Sequence, residues 1–367
     1  MKTSLLLIGG FLGAGKTTLL AELAQRLQAK GEKVSIITND QGSDMIDTEF
    51  LESKGLNATG ITGGCFCYRF DDLLETITRV TQNQQPTWIL AEAVGSCTDL
   101  VATVIRPLKR LHGHNFRIIP ITIAVDPERA NLLLEERNPF PYEIGYLFSQ
   151  QIQEAEIILL NKCDRTSNEL MEKVKRELYR TNHKARFIQT SAMGGLGLDD
   201  WMNEVIYSEE ASGEKVLSML DYDIYATAEA YLGWLNASIK LTPENFFNLE
   251  EFVKTIGLEL QAEFIRKGFE AAHVKLMGQS GYRVIKGSLT NSIKEWEWNN
   301  QDQDFETEMT LLINARVLAK PDQLYDTVSS IVTKVSEQWN VNTLVDQLEC
   351  FSPERPNPTY RDLEKII

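Results

Sequence analysis

The chain has 367 residues, 43% of them hydrophobic and 24% charged, which is too apolar for a disordered protein and enough for a packed core. Its length suggests two domains. With 37 basic against 52 acidic residues it carries −15 near neutral pH, a field that repels phosphate backbones, so no nucleic-acid partner is expected.

From the N-terminus, short apolar runs alternate with helical patterns. Ser4–Ile8, Val34–Thr38, Trp88–Ala91, Phe116–Val125 and Ile157–Leu160 read as strands, and Thr17–Lys30 as the first helix. Continuously apolar strands separated by helices predict a parallel sheet covered on both faces. The run Leu5-Leu6-Leu7-Ile8 after Met1-Lys2 has the look of a short leader, but cleavage there would destroy the motif that follows, so it reads as a strand. The polar stretch Ser208–Lys215 breaks the alternation, giving a first domain over 1–207 and a linker over 208–221.

A second domain is expected over 222–352. Tyr225–Leu241 reads as a strand, Leu249–Phe264 as a helix with Leu249, Phe252, Val253, Ile256, Leu260 and Phe264 on one face, and His273–Ile285 as extended. Met309–Leu318 follows as a strand, Pro321–Trp339 as a helix with proline in its first turn, and Thr343–Phe351 as a closing strand. The order β-α-β-β-α-β predicts a smaller, ferredoxin-like α/β sandwich. Pro353, Pro356 and Pro358 mark 353–367 as an irregular tail. No apolar run approaches the roughly 20 residues that span a bilayer, so no membrane partner is expected. Five cysteines, few and odd in number, frame no disulfide scaffold and point to a reducing, cytoplasmic setting.

The strongest chemical signal is Gly10-Phe11-Leu12-Gly13-Ala14-Gly15-Lys16-Thr17, which fits G-x-x-x-x-G-K-[ST] between a strand and a helix. Backbone amides of Gly10, Gly13, Ala14, Gly15 and the helix start through Thr18 can cradle a triphosphate. Lys16 can neutralise its outer oxygens, and the Thr17 hydroxyl can ligate Mg²⁺. Asn161-Lys162-Cys163-Asp164 follows a strand and matches N-K-x-D, the guanine-reading signature of P-loop GTPases. The Asp164 carboxylate can accept from guanine N1–H and the 2-amino group, whereas adenine would leave it unmatched, which makes GTP the expected nucleotide. Ser191-Ala192, at the next strand end, is the expected backbone contact to the base oxygen. Asp40 and Glu92 end predicted strands, where an open parallel sheet lines its ligand crevice, so both are candidates for holding Mg²⁺ or orienting the attacking water.

On Gly10–Leu19, Asn39-Asp40, Gly64-Cys65-Phe66-Cys67 before Asp71-Asp72-Leu73, the E-x-x-G of Glu92–Gly95, and Asn161–Asp164, the sequence resembles the CobW/HypB/UreG family of P-loop GTPases. That family serves metal centres and metallated cofactors. The resemblance is greatest to the CobW branch, which carries a C-terminal domain, so it spans the whole chain. It implies a P-loop GTPase fold followed by that smaller domain, a GTP-dependent homodimer, and a C-x-C-C metal motif. Here the third cysteine position is Tyr68. Cys65 and Cys67 can face one side of an extended loop, but two thiolates do not complete a tetrahedral zinc site. Cys97, five residues after Glu92, is the candidate for the missing ligand, with Zn²⁺ or Co²⁺ as the soft ion. Cys65 and Cys67 read equally as packed small residues or a redox pair, and Cys97 as a buried filler. His112 and His114 could bind a metal as an i,i+2 pair, but in a loop they read rather as solvated surface residues. Relatives have Gly-Glu after Asn-Asp where this chain has Gly42-Ser43, and Asp44 or Asp47 is expected to compensate.

These features predict a two-domain α/β protein that hydrolyses GTP slowly and couples it to delivering a metal ion to a client metalloprotein. One alternative is a GTPase chaperone for a corrinoid or other metallocofactor enzyme, without thiol-bound metal. Alternatives of another class are a small-molecule P-loop kinase and a non-hydrolysing scaffold.

Overall fold

The structure, a computed structural model, describes residues 2–42, 46–135, 138–208, 212–244, 247–281, 283–300 and 309–364. Two compact units emerge. Residues 1–41, 54–227 and 355–367 form the first, and 42–53 with 228–354 form the second. The chain passes from one unit to the other after residues 41, 53, 227 and 354, because a short internal segment and the tail each leave their sequence neighbours.

The elements of the first unit, in order, are β1 (Thr3–Gly9), α1 (Lys16–Ala29), β2 (Val34–Asn39), then α2 (Ile46–Ser53), which belongs to the second unit, and β3 (Ala58–Ile61), α3 (Phe70–Gln84) and β4 (Trp88–Glu92). A π-helical turn, Val101–Ile105, leads into α4 (Arg106–His112), followed by β5 (Phe116–Ile118), β6 (Thr122–Val125), α5 (Pro127–Leu134), α6 (Tyr142–Glu154), β7 (Ile157–Leu160), α7 (Asn168–Thr181), β8 (Arg186–Gln189), α8 (Leu198–Tyr207) and α9 (Tyr222–Ala230). The strands lie in the order β3-β2-β4-β1-β6-β7-β8, with β5 also against β1, and every pairing is parallel. β2, β4, β6 and β7 are buried along their whole length, as strands covered on both faces must be.

The single strand expected over Phe116–Val125 is instead β5 and β6. Pro120 lies between them and has no N–H to give a ladder, so Phe116–Ile118 pairs with Thr3–Leu5 and the chain re-engages β1 at Ile8–Gly9. The expected linker is tied down where it is described. Glu156 accepts from Ser212 Oγ and from the amides of Gly213 and Glu214, while Arg106 donates to the carbonyls of Gly213 and Glu214. Residues 209–211 lie outside the described residues.

The second unit continues with β9 (Gly233–Pro243), α10 (Leu249–Lys267), β10 (Glu270–Ser280), β11 (Arg283–Leu289), β12 (Glu297–Asn300), β13 (Met309–Leu318), α11 (Pro321–Trp339) and β14 (Val341–Phe351). Its antiparallel sheet runs β12-β11-β10-β13-β9-β14. With the β11–β12 extension removed, the order β10-β13-β9-β14 is that of a split β-α-β sandwich, as the element order predicts. The six apolar residues foreseen on α10 are all buried in its core. Two expectations are corrected. Tyr225–Leu241 is not one strand: its first part lies in α9, whose start is capped by Asp221 accepting from the amides of Asp223 and Ile224, and β9 begins only at Gly233. His273–Ile285 is not one strand either, since the chain reverses at Gly281, whose φ of 57° suits a residue without Cβ, and pairs β10 with β11. No helix among the described residues is long and apolar enough to cross a membrane.

Candidate nucleotide and thiol site

The turn between β1 and α1 is built by three glycines with positive φ, Gly10 at 129°, Gly13 at 79° and Gly15 at 87°. A larger residue does not fit at Gly10 or Gly15. A Cβ on Gly10 would lie 2.2 Å from the Ala124 carbonyl oxygen, and one on Gly15 would lie 2.5 Å from Asn161 Nδ2. Gly15 caps α1 without a side-chain acceptor, which leaves the helix start as a ring of backbone donors suited to an anion. Lys16 is buried, its ammonium donating to the Gly10 carbonyl at 2.8 Å, and Thr18 is half-buried beside it.

Strand order sets what faces this turn. β4 and β6 flank β1, with β2 beyond β4, so Asp40 and Glu92 follow strands that end on the P-loop side of the sheet. Thr17 Oγ1 donates to Glu92 Oε1 at 3.1 Å, and both residues are buried. These two oxygen donors fit a hard divalent cation such as Mg²⁺. Asp40 is half-buried and is held by its backbone, its amide donating to Ile61 and its carbonyl accepting from Gly64. Asp44 lies outside the described residues. Asp47 belongs to the second unit and lies between Lys275 and Lys286; these ammonium groups hold its carboxyl below the usual range even though burial alone would raise it.

Across the sheet, Asn161 joins the turn after β1 to the loop after β8. Its Nδ2 donates to the Ala14 carbonyl at 2.8 Å, and its Oδ1 accepts from Ala192 N at 3.1 Å and Thr190 Oγ1 at 3.4 Å. Ser191 turns the same loop by accepting from Gly194 N. The Asp164 carboxylate remains partly exposed, 3.8 Å from Arg165.

Cys65 and Cys97 are brought together across 32 residues and are joined as a disulfide, while Cys67 is buried and outside that bond. Among the described residues no group of three or more His, Cys, Asp or Glu side chains is placed to hold a metal ion. In this oxidised form, then, the three cysteines do not constitute a site. His112 ends α4, and His114 is exposed in the turn after it.

Several residues of this region escaped sequence reasoning. Asn39 anchors the cysteine loop, its Nδ2 donating to Ile61 and Gly64 and its Oδ1 accepting from Phe66 N. Tyr68 packs on Gly64, where a Cβ would come within 2.1 Å of the ring. From α6, Gln151 donates to the carbonyls of Gly95 and Cys97, and Glu154 accepts from Thr98 Oγ1 and Val101 N. Asp99, at a φ of 63°, accepts from Tyr222 and Arg361. Of these, Asn39, beside Asp40 at a strand end, and Tyr68, at the third position of the cysteine motif, were named in the sequence, though not for these contacts.

The family model described as "CobW/HypB/UreG, nucleotide-binding domain" matches residues 4–189. The zinc chaperone CobW of Sinorhizobium sp is 28% identical over 204 residues, 50% of this chain and 57% of that protein. The zinc-regulated GTPase metalloprotein activator 1 of Schizosaccharomyces pombe is 25% identical over 59% of this chain and 52% of its own length. The chain thus spans about half the length of the curated relatives it matches. The zinc(II)-bound YjiA GTPase from E. coli overlays 90% of this chain and 99% of its own at 16% identity, with a TM-score of 0.41.

Proposed function

The chain belongs to the CobW/HypB/UreG family, and from that membership and its site geometry we propose that it binds GTP with Mg²⁺, hydrolyses it slowly, and delivers a zinc- or cobalt-class ion to a client metalloprotein. The observation that carries the nucleotide reading is Asn161, which bridges the carbonyl of Ala14 and the amide of Ala192. One side chain therefore sets the spacing between a phosphate cradle and a loop able to face a base.

In this reading the P-loop amides and the Lys16 ammonium bind the phosphates and offset charge that grows on them during transfer. Thr17 and Glu92 would hold Mg²⁺, which supplies charge neutralisation at the outer phosphates. Asp40 orients water or the hydrated ion. Asp164 accepts from the guanine edge, with the Ser191–Ala192 backbone beside it.

The cargo ion requires thiolates, so the Cys65–Cys97 bond must first be opened by exchange with an external dithiol, which gives up two electrons and two protons and leaves as its own disulfide, as a reducing setting would allow. Reduction yields two thiols already in contact, with Cys67 two residues from one of them. Two relatives are named for zinc chaperoning and for metalloprotein activation, and they support this cargo class.

The test is phosphate release and nucleotide affinity on the reduced chain, with anaerobic Zn²⁺ and Co²⁺ titration of wild type and Cys65→Ser/Cys67→Ser. Preference for GTP over ATP, slow turnover lost in Lys16→Ala, and about one thiol-dependent ion per chain that responds to GTP are expected. ATP preference would sink the guanine reading in favour of a kinase. Thiol-independent or absent ion binding would sink the cargo assignment and favour a chaperone for a metallocofactor enzyme.

A further inference from the structure

We propose that Asp126, a residue outside the P-loop and the N-K-x-D run, positions Lys162 for base recognition; the inference rests on the GTP reading above. Asp126 follows β6, the strand between β1 and β7, so it lies between the two strands whose ends carry the phosphate turn and Asn161–Asp164. β6 is also the strand both loops lean on. Gly10 approaches the Ala124 backbone, and Asn161 N donates to the Val125 carbonyl at 2.8 Å.

The Asp126 carboxylate divides its oxygens. Oδ1 caps α5, accepting from Glu128 N at 2.9 Å and Arg129 N at 3.3 Å, while Oδ2 lies 3.1 Å from Lys162 Nζ. Side-chain exposures of 8% and 15% separate this pair from surface ion pairs, which contribute little. Lys162 has a φ of 61°, an unfavourable backbone for a residue with a Cβ. Its neighbourhood enforces that conformation: the Lys162 carbonyl accepts from Arg165 N and Thr166 Oγ1, and Cys163 N donates to Thr190. Strain held in place beside a buried ion pair marks a side chain whose position matters more than its stability.

A free lysine stem samples many rotamers, and ordering it on binding weakens affinity. With its ammonium fixed to a carboxylate that is itself fixed as a helix cap, Lys162 meets the base already ordered. Asp126 touches neither phosphate nor base in this assignment and acts through Lys162.

Asp126→Asn separates the two duties, because asparagine caps a helix as well as aspartate but carries no charge for Lys162. Equilibrium binding of GTP·Mg²⁺, GDP, ATP·Mg²⁺ and inorganic tripolyphosphate·Mg²⁺ to the full chain is compared for wild type, Asp126→Asn, Lys162→Ala and the double variant. Asp126→Asn is expected to weaken GTP and GDP by roughly threefold to tenfold while leaving tripolyphosphate unchanged. The double variant is expected to bind no more weakly than Lys162→Ala. Wild-type affinity for GTP in Asp126→Asn, an equal loss for tripolyphosphate, or additive losses in the double variant would each overturn the assignment with the GTP reading intact. Wild type binding ATP as tightly as GTP would instead overturn that reading, and this inference with it.

Discussion

Glu154 is fully buried at the end of α6, and burial first, then the neighbouring Asp99 carboxylate, pushes its pKa up to about 8. A carboxylic acid raised in this way binds a proton in the folded chain that the unfolded chain has already released. Between about pH 4.5 and 8, therefore, stability falls as pH rises. A tenfold change in proton affinity is about 1.4 kcal/mol, so the loss across that window should be roughly 3–5 kcal/mol at most. Urea unfolding of wild type and Glu154→Gln across this range checks it: the glutamine variant should show a flatter profile and exceed wild type near pH 8. Asp47 has the opposite sign. Lys275 and Lys286 hold it ionised, so its contribution is present above about pH 4 and is lost on acidification. Asp47→Ala removes the carboxylate that both half-buried ammonium groups share, and should destabilise the second unit by about 2–4 kcal/mol at neutral pH in chemical denaturation. Neither residue was legible beforehand. Nothing in the sequence singles out Glu154, and Asp47 reads as a metal-site substitute, because what shifts both groups comes from residues distant in sequence.

At the scale of elements, apolar runs bounded by turn residues located most strands, and Ile157–Leu160, Met309–Leu318 and Pro321–Trp339 fall where periodicity puts them. Periodicity failed at Tyr225–Leu232, where a short apolar run suits helix and strand alike; the Asp221 cap was the local signal that would have decided it. The tail is irregular because its prolines cannot donate to a ladder, yet irregular does not mean loose. Thr359 N donates to Cys67 O at 3.0 Å, Tyr360 meets Phe70 edge-on, Arg361 holds Asp99 at 2.7 Å, and Asp362 N donates to Ala102. Arg361→Ala should cost the first unit about 2 kcal/mol, since it strips a charge-assisted hydrogen bond from a buried carboxylate. Denaturant unfolding measures that loss. Faster alkylation of Cys67 in the same variant would show that the tail guards the cysteine loop, and unchanged reactivity would show that it does not.

At the scale of the whole molecule, the sequence divides the chain once, but the packed chain is interleaved. Composition marks a polar stretch after Tyr207, whereas the units divide after residue 227, and it cannot show that 42–53 leaves its neighbours, because nothing local distinguishes an apolar helix serving one core from the same helix serving another. In the second unit Ile46 and Phe50 are buried with Met277, Val284 and Leu312, and the Lys286 ammonium lies 3.8 Å from the centre of the Phe50 ring. Each buried side chain of this size contributes about 1.5–3 kcal/mol, a large share of a small domain's stability. A fragment spanning 228–354 should therefore unfold at lower denaturant than the same unit within the full chain. Adding a peptide of residues 42–53 should restore part of the difference, and a peptide carrying Asp47→Ala should restore less. If the fragment is as stable as the unit in the intact chain, that segment is an ornament on the second unit and not part of its core. If the peptide rescues it, the chain that leaves the nucleotide site after Asp40 is structurally committed to the second unit, and a cut between domains chosen from composition alone would divide a folding unit.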